Sequence, residues 1–336
     1  MESLLQLAAS RIQLCMSSQG QPHAVLPCGA STPIYSEDFY TFLTELADGS
    51  QTPMPGHVTA LLRRLDAQSH STARWLPVSL RSAQLDSGRC VIDLQTNLFD
   101  AINVTREGWA ITQHLEAHFL RPTLNIPLPV PETPKHNLKA YLKQLFQIEA
   151  EPAAQLNVWL TEALRPNGRP PILVITGEAR DEAASKLRML IDPVPQPLMA
   201  LPHNANQLGQ LALTNRVLAF PLYGKPSATR KAAFNALLKG MPVRLKESNK
   251  RRPAITAKVG RPLILTSEKK IDVNPYQITI EINHANAAPH AEVFAALLDA
   301  LVEALNKRSA ETYELQPAAA PPAIPEINEH SDPPGP

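Results

Sequence analysis

The residues best placed to do chemistry lie in one turn, Gly177-Glu178-Ala179-Arg180-Asp181-Glu182-Ala183-Ala184-Ser185, set between the apolar run ILVIT and a helical segment. In a parallel α/β domain, the turn after a core strand meets the ligand at the carboxyl edge of the sheet. Phosphate suits such a turn. Glycines let backbone N–H groups curl round it, a lysine bridges two phosphates, and a hydroxyl holds Mg²⁺. This turn instead offers one glycine, Gly177, followed by Glu178, and places two carboxylates, Asp181 and Glu182, where a triphosphate would sit.

A second set of residues is cationic. Between Lys225 and Lys270 stand 13 Lys and Arg against two acids, Glu247 and Glu268, although the whole chain carries only +1. Arg244, Lys246, Lys250, Arg251, Arg252, Lys258 and Arg261 fall on two extended stretches, MPVRLKE and AITAKVG, on the turn joining them and just beyond. A hairpin of this kind offers a compact set of phosphate contacts to DNA or RNA. No aromatic residue interleaves the charges, so base stacking is not expected and contact would be indifferent to sequence.

Other chemistry lacks support. His114, His118, His136 and His203 are scattered, with no HExxH and no paired carboxylates. Ser79 and Ser185 lack a GxSxG context, and Cys15, Cys28 and Cys90 lack CxxC or CxxH partners. No catalytic nucleophile, metal site, disulfide or cofactor is expected. Trp75, Trp109 and Trp159 lie in apolar strands or helices and read as core.

The elements that position these groups follow from composition and period. With 336 residues, 44% hydrophobic and 19% charged, the chain can bury two cores. No stretch approaches the ~20 apolar residues of a membrane span, and the start MESLLQLAAS is acidic rather than basic, so no membrane contact and a cytoplasmic location are expected. The 33 prolines against 13 glycines cut the chain into short elements. Leu4, Leu7, Ala8, Ile12 and Cys15 predict a helix over the first 20 residues. Further helices are expected at 36–47, capped by Ser36, and at 56–67. Residues 73–113 change to short β-branched runs, which predicts an antiparallel sheet.

Residues 120–137 are dense in proline and read as an extended linker. After two helices over 138–164, apolar runs at 172–176, 198–201, 217–220, 263–266 and 277–282 alternate with helical segments at 181–191, 204–214 and 227–239. That pattern predicts a parallel sheet covered on both faces. A helix at 290–307 closes the domain. The tail from Gln316 holds seven prolines in 21 residues and reads as disordered.

The sequence resembles a known family at this turn. The helicase-like ATP-binding proteins of phages and integrated elements, related to the helicase half of primase-helicases, show a strand, then GEQGSAKST, then a helix running into VDP. Here ITGEARDEAASKLRMLIDP matches the Gly-Glu start and the Ile191-Asp192-Pro193 end. WLTEALRPNGRPPILVITGE, PLMALPHNANQLGQLALTNRVLAF, RPLILTS and FAALLDALVEAL resemble further family segments in order, as does VIDLQTNLFDAINVTREGWAIT before them.

Aligned on Gly177, the family's lysine position is Ala183, its hydroxyl position is Ala184 and its internal glycine is Arg180. Ser185 and Lys186 are out of register. The metal-holding acid after VLAF is Pro221, the sensor asparagine position is Thr266, and the segment supplying a trans-acting arginine is shortened to EKKIDVNPYQ. The likeness therefore implies a P-loop NTPase-like (AAA+-like) domain whose nucleotide site is degenerate.

The resulting expectation is an α/β protein. It has an N-terminal α+β unit (1–119), a proline-rich linker (120–137), a degenerate P-loop NTPase-like domain (138–308) with helices on both faces of a parallel sheet, and a tail (309–336). The expected role is a catalytically inactive, nucleic-acid-associated or regulatory component of a phage or mobile element. The alternatives are an interaction scaffold or ring subunit that modulates active ATPase homologues, and a weakly active ATPase or helicase. The expected partners are DNA or RNA through phosphates, and further copies or an active homologue.

Overall fold

The computed structural model describes residues 8, 10–17, 22–27, 31–46, 55–72, 75–86, 88–96, 100–113, 117–121, 126–244, 256–287 and 289–312. Its first strands are β1 (Gln13–Ser17), β2 (Pro22–Val25) and β3 (Ser31–Pro33), followed by helices α1 (Glu37–Leu46) and α2 (Pro55–Thr72). Ser36 Oγ accepts from Phe39 N at 3.2 Å, the N-cap expected from the sequence. Phe39 and Leu43 of α1 and Leu61 and Leu65 of α2 bury against Ala24 and Ile34, which gives this unit its own core.

The helix expected over the first 20 residues is not continuous. Gln13–Ser17 is a strand, antiparallel to β2 and parallel to β4 (Trp75–Leu76). Pairing on both sides satisfies the β1 backbone, which outweighs an apolar spacing that fits a helix equally well. Residues 1–7 and 9 lie outside the described residues.

Next come β5 (Val78–Ser79), β6 (Ser82–Asp86), β7 (Arg89–Asp93), β8 (Ala101–Val104), β9 (Trp109–Thr112) and β10 (His118–Phe119). β6 to β9 form the expected antiparallel sheet in sequence order, while β5 pairs in parallel with β10. The second half contains α3 (Leu138–Phe146), α4 (Ala150–Leu164), β11 (Ile172–Thr176), α5 (Arg180–Met189), α6 (Ala205–Thr214), β12 (Leu218–Leu222) and α7 (Ala228–Lys239). It continues with β13 (Met241–Arg244), β14 (Thr256–Val259), β15 (Leu263–Ser267), β16 (Gln277–Glu281) and α8 (His290–Thr312), the last running beyond its expected end at 307.

β12, β15, β11 and β16 lie side by side in that order, all parallel. Successive side chains of a strand point to opposite faces, so a wholly apolar strand demands cover on both. Leu173 and Ile175 of β11 pack with Trp159, Leu187 and Leu297, whereas Ile172 and Val174 pack with Leu208 and Phe234. The run at 198–201 is not a strand. It touches the β12 edge through a bond from Met199 N to Ala219 O at 3.0 Å, without a ladder.

The boundary expected at 119/120 does not divide the buried core. Cys90, Ile92, Ile102 and Val104 of the antiparallel sheet share one core with Leu142, Trp159 and Leu297. One separate small core belongs to residues before Trp75, and another joins Ala83, Val91, Ala101 and Phe119. The described part of the proline-rich segment, 126–137, lies along this joint body. Ile126 N donates to Pro193 O, Leu128 N to Leu94 O and Glu132 N to Ala291 O, and Leu128 is buried. Proline excludes regular pairing but not packing, so proline density marked an extended segment fastened to the body. Residues 313–336 lie outside the described residues.

Candidate functional site

β11 brings the chain to the carboxyl edge of the sheet at Thr176, and Gly177 turns it with φ of 99°. A Cβ at this position would stand 2.4 Å from Ile282 O and 2.6 Å from Asn283 Oδ1, so both the backbone conformation and the space require glycine. The crowding has a clear origin. β16 runs beside β11, Ile282 N donates to Thr176 O at 2.8 Å, and the chain after β16 then crosses the mouth of the turn.

The consequence falls on the turn's amides. Ala179 N donates to Ile282 O at 3.1 Å, and Glu178 N donates to Asn283 Oδ1 at 3.1 Å. In a phosphate loop, N–H groups of this kind point at the anion. Lys186 fastens the same crossing segment from the other side, with Nζ donating to Ala285 O at 2.7 Å and Asn286 O at 2.6 Å. Its ammonium also pairs with Glu182 at 2.8 Å.

The side chains of the turn are satisfied internally as well. Arg180 Nη1 donates to Gly177 O at 3.1 Å, and its Nη2 lies 3.8 Å from Glu268 Oε1. Thr266 Oγ1 donates to Asp181 Oδ1, and Ser185 Oγ donates to Asp181 O at 2.8 Å. Ala179 gives α5 no side-chain cap, but Asp181 and Glu182 occupy its first turn. Their charges take the favourable place beside the helix N-terminus that an anionic ligand would otherwise use.

Ala183 and Ala184 are fully buried in the large core beside Leu187. Pro221 and Thr266 are cross-strand partners of β12 and β15 at the same carboxyl edge. Pro221 removes one ladder donor without harm because β12 is an edge strand. The structure therefore gathers Gly177, Glu178, Arg180, Glu182, Ser185, Pro221 and Thr266 at one edge, and turns Ala183 and Ala184 inward.

Behind α5 lies a hub that motif reading did not single out. Asp192, which is 1% exposed, accepts from Arg81 Nε at 3.2 Å, Arg216 N at 2.8 Å and Val217 N at 3.1 Å. Arg188 lies 3.9 Å away, with Nη2 donating to Asn215 Oδ1 at 2.7 Å. Burial pulls the Arg81 and Arg188 guanidiniums below their ordinary range, and the Asp192 charge opposes that shift. The only local sign of the hub was the Ile191-Asp192-Pro193 match.

The basic hairpin is present at its base, with Met241 opposite Val259 and Arg244 opposite Thr256. Lys258 is exposed on β14. Lys246, Lys250, Arg251 and Arg252 lie outside the described residues. Arg261 stands just beyond β14, and its guanidinium is anchored on backbone carbonyls. Its Nε donates to Ala212 O at 2.8 Å and Asn215 O at 3.1 Å, and its Nη1 to Gly260 O at 3.0 Å. Burial, and then the neighbouring Arg216 charge, lower its pKa to about 9.

Among the described residues, no group of three or more His, Cys, Asp or Glu is placed to hold a metal, and no helix is long and apolar enough to cross a membrane. Cys15 and Cys90 are buried, while Cys28 and His114 lie outside the described residues. Trp159 is fully buried, and Trp109 packs at the core's edge with Nε1 donating to Asp299 Oδ1 at 2.8 Å.

No protein-family model matches the chain, and no curated protein matches it. Among solved structures it is similar to the NrS-1 C-terminal region, with 12% identity and a TM-score of 0.44 over 90% of this chain and 68% of that one. It is also similar to a full-length MCM homolog from Methanopyrus kandleri, with 11% identity and a TM-score of 0.31 over 92% and 77%. The JCV helicase is a third, with 12% identity and a TM-score of 0.26 over 53% and 66%. Likenesses this low carry no argument about function, which must rest on the chain's own geometry.

Proposed function

We propose that the chain is a helicase-like P-loop fold that no longer turns over nucleotide and acts as a nucleic-acid-associated, regulatory component of a phage or mobile element. One observation carries the first half of this reading. The amides of Glu178 and Ala179 are bonded to Asn283 and Ile282, so an incoming phosphate would have to displace two formed hydrogen bonds. It would do so without a lysine at position 183, which is a buried alanine, and against Glu178, Asp181 and Glu182. Each missing phosphoryl-transfer contact is worth several kcal/mol of transition-state stabilisation, and here they are missing together.

The second half is supported by the charge distribution. The 225–270 segment concentrates cations on a hairpin in a chain that is otherwise acidic on balance. Phosphate release from Mg-ATP should match a protein-free control. Binding to a labelled DNA or RNA strand should weaken steeply with salt and fall on joint charge reversal of Lys250, Arg251 and Arg252. Turnover that scales with protein and is lost in Gly177→Val would contradict the first half. Binding indifferent to salt and to the hairpin charges would contradict the second.

A further inference from the structure

A cleft of about 260 Å³ opens at the opposite edge of the parallel sheet from the Gly177 turn. It is built where the chain enters three strands: Gly168-Arg169-Pro170 ahead of β11, Arg216 ahead of β12, and Gly260-Arg261 ahead of β15. The end of α7, Lys239 and Gly240, and the hairpin residue Lys258 complete the wall. Each of these strands has five residues, so its length, at ~3.3 Å per residue, separates the cleft from the degenerate turn by roughly 15 Å.

Five cations line this cleft and, among its described lining residues, no carboxylate and no aromatic ring. Arg169, Lys239 and Lys258 are exposed, and no carboxylate among the described residues pairs with them. Arg216 is held in place, with Nη2 donating to Ala163 O at 2.9 Å and Arg165 O at 2.7 Å, and Arg261 is fixed by its own carbonyl contacts. The floor is thus two pre-oriented guanidiniums and the rim three free cations. A Cβ on Gly240 would stand 3.0 Å from the Lys258 side chain, so glycine lets that stem lie flat across the entrance.

Concentrated like charge of this kind is costly unless an anion offsets it. Burial lowers the Arg216 pKa to about 10, and the Arg216 charge is the second cause of the lowered Arg261 value. Guanidinium forks match phosphate oxygens, and the cleft falls below the ~300 Å³ at which pockets for drug-sized ligands begin, which suits a phosphate group rather than a base. Lys258 places the cleft at the root of the basic hairpin, so a strand whose backbone follows the hairpin is carried to it.

We propose that the cleft formed by Arg169, Arg216, Lys239, Lys258 and Arg261 binds a backbone phosphate of a nucleic-acid strand lying along the β13–β14 hairpin. The inference rests on the nucleic-acid half of the proposed function. The test compares the full chain, Arg169→Glu with Lys239→Glu, and the joint reversal of Lys250, Arg251 and Arg252. Each is titrated against a labelled single strand at several salt concentrations, and separately against inorganic pyrophosphate by calorimetry.

Both cleft substitutions sit on exposed side chains, and circular dichroism should show an unchanged fold. The expected result is a cleft variant about tenfold or more weaker for the strand, with a log–log salt slope about one to two units shallower. Unchanged strand affinity in the cleft variant, with binding still lost in the hairpin variant, overturns the cleft and leaves the functional reading standing. Pyrophosphate binding that depends on Arg169 and Lys239 without any effect on the strand also overturns it, and assigns the cleft to a free phosphate compound. Failure of all three proteins to bind the strand overturns both readings.

Discussion

Arg81, on the turn leading into β6, reaches Asp192 at the end of the α5 connection, with Nε 3.2 Å from Oδ1 and both side chains buried. The contact joins groups 111 positions apart and locks the antiparallel sheet to the parallel sheet. Arg81 Nη2 also donates to Ile126 O at 2.9 Å and Pro193 O at 3.1 Å, so the proline-rich segment is tied into the same point.

Removing one partner of a buried ion pair strands the other, at a cost of about 3–5 kcal/mol. Asp192→Ala should show the larger loss, because it also orphans the Arg216 and Val217 amides and leaves Arg188 without its nearest carboxylate. Urea titration of Asp192→Ala and Arg81→Ala is the measurement. A loss below about 1 kcal/mol in both would show that the hub does not hold the two sheets together.

The Gly177 turn and the inward face of α5 should tolerate little change. Gly177→Ala places a methyl 2.4 Å from Ile282 O at a φ of 99° and should cost on the order of 1–3 kcal/mol. Ala183→Lys should destabilise the fold without conferring ATPase activity, since that position is fully buried and an unpaired ammonium there is heavily penalised. Thermal melts with phosphate-release assays on both variants test the pair. A stable Ala183→Lys variant that hydrolyses ATP would contradict the inward placement of the helix face.

His23, in β2, should make the small N-terminal unit acid-sensitive. Its ring is buried, with Nδ1 3.1 Å from Ser31 Oγ, and burial lowers its pKa from 6.5 to about 4. The unfolded chain takes up the proton first, so the stability this group contributes is complete above pH ~6.5 and declines as the pH falls toward ~4. The full effect is on the order of 3 kcal/mol. Chemical denaturation at pH 7 and pH 4.5 should show this loss in the native chain and a smaller one in His23→Gln. Equal pH dependence in the two would remove His23 as the cause.

Much of the second half was legible because three of its strands are built on short, mostly apolar runs. ILVIT, LILTS and VLAF fit buried strands covered on both faces, though the equally apolar LMAL is not a strand, and the intervening helices fell within a residue or two of expectation. The start was not legible, since Leu7, Ala8, Ile12 and Cys15 fit helical spacing while Gln13–Ser17 pairs on both edges. The position of the turn was readable from Gly177, but the bonding of its amides was not. Asn283, which caps the Glu178 amide, lies 105 residues away and carries no local motif. The cleft was equally hidden, because Arg169, Arg216, Lys239 and Lys258 meet only through the shared amino edge of three strands.

The most direct test is an amide NMR titration of the full chain with Mg-ATP, following the Glu178 and Ala179 resonances. These amides are predicted to keep their chemical shifts at millimolar nucleotide, held by Asn283 and Ile282. Saturable shifts at both positions would mean that the turn opens to admit phosphate, and would contradict the account.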